Sequence, residues 1–96
     1  MNGTVRQQIV DLLETEAMDL VQLAQALGIK EKEVRLHLPH IQKSVAARGG
    51  RLTVKPAVCS GCGYKFTDRR RLDPPSRCPR CKQLRVMGPW YEVTGL

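Results

Sequence analysis

Apolar residues in the first half of the chain recur at steps of three and four. Val5, Ile9, Leu12 and Leu13, with Ala17 beyond them, fall on one face of a helix predicted over about residues 5–16. Thr4 stands at its N-cap, and Gln7, three residues on, is the expected capping-box partner. Asp19 and Gln22 repeat that signal ahead of Leu20, Leu23, Ala24 and Leu27, the stripe of a shorter second helix. Gly28 is placed to end it in a left-handed conformation, where a Cβ would be strained. A third helix is predicted from about Glu31, with Val34, Leu38, Ile41 and Val45 on its buried face. Pro39 interrupts this helix, so the expectation is a kink, or a break with a new turn starting at the proline. Gly49 and Gly50 close the helical half.

The period then changes from helical to two. Arg51, Leu52, Thr53, Val54 and Lys55 alternate polar and apolar, which reads as a strand closed by Pro56. Trp90, Tyr91, Glu92, Val93 and Thr94 form a second candidate strand. The two are expected to pair antiparallel, with Leu52, Val54, Tyr91 and Val93 facing the helices. Everything else with chemical character lies between them.

That intervening segment holds the chain's four cysteines as Cys59-x-x-Cys62 and Cys78-x-x-Cys81, with fifteen residues between the pairs. Two residues between cysteines let both sulfurs of a tight turn reach one ion, and the long gap lets a second turn complete a tetrahedron. Gly63 follows the first pair, where a knuckle needs a residue free of Cβ strain. Lys82 stands where a glycine would be usual, and Pro79 stiffens the second knuckle. Tyr64, Phe66, Leu72, Leu84 and Val86 are the expected cover of the site. The spacing points to structural zinc, with iron the alternative metal for four thiolates. Two disulfides and a redox-active C-x-x-C are the competing readings; the first needs an oxidising compartment and the second a βαβ setting. A closed four-sulfur site leaves no coordination position for water.

Composition narrows the function. The segment Met1 to Val10 has no apolar signal-peptide core, and no stretch is long and apolar enough to cross a membrane, so a cytoplasmic setting is expected. The net charge of +7 is uneven. Residues 1–47 carry five basic and six acidic side chains, whereas residues 48–96 carry eleven basic and three acidic ones. Such asymmetry points to a polyanion partner for the second half. Its densest cluster is Arg69-Arg70-Arg71, joined by Lys65, Arg77, Arg80, Lys82 and Arg85. Arginine's fork donates to phosphate in pairs. Lys32, Arg35 and Lys43 are the cations expected on the exposed face of the third helix, although Glu31 and Glu33 at its start would repel phosphate. As the bland alternative, these charges are a solvated helix face. His37 and His40 lie in the helical half and read as surface or boundary residues. No Ser/His/Asp set, paired carboxylates or phosphate-cradling glycine loop is present, so no enzyme is expected.

Leu20 to Leu38 reads as a helix-turn-helix, and a third helix leading into a hairpin is its winged variant. From Leu23-Ala24-Gln25-Ala26-Leu27-Gly28-Ile29, Leu52-Thr53-Val54-Lys55-Pro56, Cys59-x-x-Cys62-Gly63-Tyr64 and Cys78-Pro79-x-Cys81, the chain resembles a small prokaryotic family of predicted transcriptional regulators. Its members have a winged helix-turn-helix with a rubredoxin-like zinc ribbon inserted in the wing. The resemblance implies an α+β fold of three helices and a β-hairpin, divided into a winged domain (residues 1–56 and 88–96) and a zinc-ribbon insertion (residues 57–87). It makes the helix from Glu31 the recognition helix and double-stranded DNA the partner. Lys30, in place of a Ser or Thr cap, and the internal Pro39 depart from what that helix would favour. Two other functions fit the same residues: a module docking on a transcription or RNA-processing complex through the basic ribbon, or an iron-carrying electron carrier.

Overall fold

A computed structural model describes residues 4–67, 72, 75 and 77–96. Three helices come first: α1 (Val5–Thr15), α2 (Leu20–Leu27) and α3 (Glu31–Ala47). Four short strands follow: β1 (Arg51–Lys55), β2 (Val58–Cys59), β3 (Val86–Met87) and β4 (Trp90–Thr94).

The helix ends explain themselves locally. Thr4 Oγ1 accepts from the Gln7 N–H at 3.1 Å and caps α1. The Gln7 side chain does not complete the expected box; it reaches forward to Asp11 Oδ1 at 2.9 Å, a neighbour one turn on that competes for the same amide. At α2 both halves of the box form, Gln22 N–H to Asp19 Oδ1 at 2.8 Å and Asp19 N–H to Gln22 Oε1 at 2.9 Å. Gly28 ends α2 with φ 69°, and its N–H bonds to the Ala24 carbonyl. Lys30 gives α3 no side-chain cap, but Glu31 and Glu33 in the first turn oppose the positive end of the helix dipole.

Pro39 does not break α3, which runs from Glu31 to Ala47 as one helix with the proline exposed on its surface. Val34 and Leu38 before it, and Ile41 and Val45 after it, are buried in one core. Packing on both sides of the missing N–H holds the helix together where local propensity alone would end it.

β1 and β4 pair antiparallel, with Leu52 opposite Val93 and Val54 opposite Tyr91. Leu52, Tyr91 and Val93 are buried against the helices, and Val54 is half-buried beside them. The other face is polar and carries a Lys55–Glu92 contact at 3.8 Å, too exposed to contribute much. β4 also bonds along its free edge to the α1–α2 link: Met18 N–H to the Tyr91 carbonyl at 3.0 Å, and Tyr91 N–H to the Met18 carbonyl at 2.8 Å. The cysteine segment leaves from between β1 and β4 and has its own pair, β2 with β3, matching Val58 to Met87 and Cys59 to Val86.

Two separate apolar clusters result. The large one joins the three helices to β1 and β4. The small one holds Ala57, Cys59, Phe66 and Cys78, with Tyr64, Cys81 and Val86 around them. Two expected members are elsewhere. Leu84 is 73% exposed, and Leu72 packs against the large cluster. Both follow from the β2–β3 pair, which turns Val86 inward and leaves Leu84 in the loop beyond the second knuckle. Among the described residues, no helix is long and apolar enough to cross a membrane.

Replacing Pro39 with alanine restores an N–H for the Arg35 carbonyl and removes the ring from a helix interior. P39A is expected to raise stability by about 1–3 kcal/mol in urea denaturation. A lower midpoint would show that the proline matches a distorted backbone there.

Candidate metal centre

The two cysteine turns repeat one hydrogen-bond pattern. In the first, the Gly63 N–H bonds to the Cys59 carbonyl at 2.8 Å, and the Cys59 N–H to the Tyr64 carbonyl at 2.8 Å. In the second, the Lys82 N–H bonds to the Cys78 carbonyl at 2.9 Å, and the Cys78 N–H to the Gln83 carbonyl at 3.1 Å. The residue after each pair must then be left-handed. Gly63 has φ 79° without strain, and Lys82, with φ 65°, is the one non-glycine residue with positive φ among the described residues. Ser60 joins the turns, its N–H and hydroxyl both donating to the Arg85 carbonyl at 2.7 and 3.0 Å. Sequence reasoning missed that link, because nothing but adjacency to Cys59 marks the serine.

These turns bring the four Sγ atoms within 4.8 Å of one another, with Cys59 to Cys81 at 3.5 Å and Cys62 to Cys78 at 3.6 Å. A tetrahedron with metal–sulfur bonds of about 2.3 Å has sulfur–sulfur edges of roughly 3.8 Å, so the cluster fits a four-thiolate metal site. All four cysteines are free, which sets the disulfide reading aside. Cys59 and Cys78 are buried, Cys81 is half-buried and Cys62 is exposed.

The backbone divides the four thiols into two kinds. Burial opposes ionisation of Cys59, but the N–H groups of Cys62 and Gly61 and the neighbouring thiols outweigh it and lower its pKa. Burial likewise opposes ionisation of Cys78, which the N–H groups of Cys81 and Arg80 and the thiols of Cys62 and Cys81 bring down to about 6. Cys62 has the Tyr64 N–H in its favour, but desolvation and the other three thiols push it up to about 11. Cys81 receives the Gln83 N–H, yet burial and the Cys59 and Cys78 thiols raise it. Each close sulfur pair, Cys59 with Cys81 and Cys62 with Cys78, thus joins one readily ionised thiol to one that holds its proton.

The predicted nucleic-acid residues are not gathered at this centre. Lys32, Arg35 and Lys43 are exposed on α3. Lys65, Arg77, Arg80, Lys82 and Arg85 are exposed on the cysteine segment. Arg69, Arg70 and Arg71 lie outside the described residues. His40 is exposed, and His37 is half-buried with Nδ1 accepting from Arg6 Nε at 3.1 Å.

Fold and site define a small α+β protein, three helices with small antiparallel sheets, carrying a cysteine cluster suited to a metal ion. The PF0610-like, N-terminal family matches residues 4–53, and the chain belongs to that family. The whole chain is similar to protein PF0610 from Pyrococcus furiosus, whose solution NMR structure aligns with a TM-score of 0.79 at 28% identity over 100% of this chain and 95% of that one. No curated protein matches it. The family match ends inside β1, so the metal site rests on the cysteine geometry itself.

Two outcomes are expected. Cys62→Ser should collapse the amide dispersion of residues 59–87 in NMR spectra while the α-helical signals persist, since the two apolar clusters are separate. Dispersed ribbon amides in that variant, or after chelation, would contradict a structural metal. Zinc binding near pH 7 should also release about two protons, from Cys62 and Cys81, because all four ligands must be thiolates. Calorimetry in buffers of different ionisation enthalpy reads this directly. Affinity should fall as pH drops through the Cys78 value of about 6 and rise toward the Cys62 value of about 11.

Proposed function

We propose that this protein is a DNA-binding transcriptional regulator in which a structural zinc shapes the wing. In this reading α2 and α3 form the helix-turn-helix, and β1 with β4 forms the wing hairpin. Residues 1–56 and 88–96 make the winged domain, and residues 57–87 the zinc ribbon inserted in it. The observation that carries the reading is the pairing of β1 with β4 directly after α3, with the cysteine segment leaving between those two strands. Support comes from Lys32, Arg35 and Lys43, which lie exposed on α3; among the described residues only Lys55 has a carboxylate within ion-pair distance.

Zinc in this site would be held by Cys59, Cys62, Cys78 and Cys81 and would supply rigidity rather than reactivity, because four thiolates fill its coordination. The protein would accordingly act by binding and not as an enzyme, in the reducing cytoplasm that keeps such thiolates available. Metal analysis separates zinc from iron, and the red colour of oxidised iron–thiolate would mark an electron carrier instead. A docking role for the ribbon is the second reading. It is favoured by Leu84, 73% exposed beside the exposed cations Lys82 and Arg85.

The decisive measurement is a DNA titration at several salt concentrations. Each lost phosphate contact flattens the salt slope by about 0.9. Replacing Arg69, Arg70 and Arg71 with alanine is expected to weaken binding to every sequence and flatten that slope. Lys32→Ala or Arg35→Ala should instead change the preference among sequences. An unchanged slope in the triple variant would move the ribbon from phosphate contact to protein docking.

A further inference from the structure

The helical half is close to neutral in total, but its charge is not evenly placed. Between α1 and the C-terminal half of α3 lies a cavity of about 200 Å³ lined by Thr4, Arg6, Gln7, His40, Ser44 and Arg48. Its apolar floor is made by Val10 and Ile41. No carboxylate lines it. Neither arginine has a carboxylate partner within ion-pair distance among the described residues. The nearest acids on the same helices are occupied or remote. Asp11 takes the Gln7 amide at 2.9 Å, and Glu31 and Glu33 sit at the opposite end of α3.

Each arginine is also set up to donate outward. Arg6 uses Nε on His37 Nδ1 at 3.1 Å, which fixes the guanidinium and leaves its two terminal nitrogens for a ligand. Arg48 follows the last turn of α3, where the Val45 and Ala46 carbonyls already accept from the N–H groups of Arg48, Gly49 and Gly50. Its guanidinium is therefore not needed to cap the helix. On α3, His40, Ser44 and Arg48 recur at steps of four and share one flank, beside the exposed Lys43. Two forked cations, a hydroxyl and an imidazole converge on a concave space with nothing negative in it. Waters occupy about 30 Å³ each, so the cavity has room for the five heavy atoms of a phosphate group and part of what it is attached to.

We infer that this cavity is a phosphate-binding site, with Arg6 and Arg48 as its charged donors and Ser44 and His40 as supporting ones. It is distinct from the cations of α3's solvent face and from those of the ribbon. The phosphate comes either from the backbone of a bound duplex or from a free phosphate, and both present the same oxygens to the same forks.

The test uses the full zinc-loaded chain. Inorganic phosphate is titrated at constant ionic strength while backbone amide shifts are followed. Saturable shifts are expected at Arg6, Gln7, Ser44 and Arg48 and not at the exposed Arg80 and Arg85, which serve as internal controls. R6Q and R48Q should each weaken phosphate binding about tenfold or more, as loss of a charge-assisted donor implies. The double variant is then titrated with a duplex of random sequence. A salt slope flatter by about 1.8 assigns the site to backbone phosphate, and an unchanged slope with phosphate binding lost assigns it to a free phosphate. Non-saturating shifts, or shifts as large at Arg80 and Arg85, would overturn the site. The wild-type titration needs no DNA and no variant, so it decides the site even if the regulator reading fails or a variant does not fold.

Discussion

The closure of the chain onto itself at Tyr91 is the constraint on which the rest depends. This side chain is fully buried in the helical core. Its backbone bonds on one edge to Met18, in the link between α1 and α2, and pairs on the other with Val54 of β1. Its hydroxyl donates to the carbonyl of Leu72, inside the cysteine segment. One residue therefore joins the first helices, the hairpin and the insertion. Because Tyr91 is close to the end of the sequence and Met18 close to the start, this contact spans most of the chain. It fixes which side of the helices the hairpin covers, and so which face of α3 remains in solvent.

The cysteine segment has no comparable anchor of its own. Its cluster has four buried residues, and two of them, Cys59 and Cys78, are themselves metal ligands. A cluster that small cannot offset the entropy of ordering the residues around it. What it has instead is an internal repeat: two turns with the same hydrogen bonds, each aiming backbone N–H groups at its sulfurs. That arrangement stabilises negative charge before any ion is present, and it favours a cation at the centre. Lys82 shows how strongly the pattern is imposed, since a lysine there adopts the left-handed backbone that the first turn gives to Gly63.

The helices were legible from their caps and periods because both are local. Asp19 with Gln22, the stripe from Val34 to Val45, and Gly28 at the end of α2 each act within one or two turns. The strand pairing was legible because alternation left only one way to bury Leu52, Tyr91 and Val93 together. The four-sulfur cluster was legible because C-x-x-C fixes the turn that presents the sulfurs. Misreadings arose where a distant partner decided the outcome. Pro39 was overruled by buried neighbours on both sides, and Gln7 by Asp11 one turn on. Leu72 was taken up by the larger core, and Leu84 was turned out to solvent by the strand pair before it. The cavity between α1 and α3 left no signal in the linear pattern, because Arg6 and Arg48 are separated by nearly the whole helical half.

The relation between the metal and the hairpin follows from chain entropy. β1 ends at Lys55 and β4 begins at Trp90, so their pairing closes a long loop. The closure cost grows only with the logarithm of loop length, reaching about 3 kcal/mol for a loop of roughly thirty residues. Burial of Leu52, Tyr91 and Val93 contributes about 1.5–3 kcal/mol for each side chain. That is enough to hold the hairpin against the helices with the loop open. The bridge from Tyr91 to Met18 adds hydrogen bonds that do not depend on the metal at all. The ion therefore does not decide whether the helical body folds. It decides the shape of what projects from the hairpin, because the β2–β3 pair and the two knuckles have little else to hold them. A fold divided in this way lets the projecting segment change its order without dissolving the surface formed by α3.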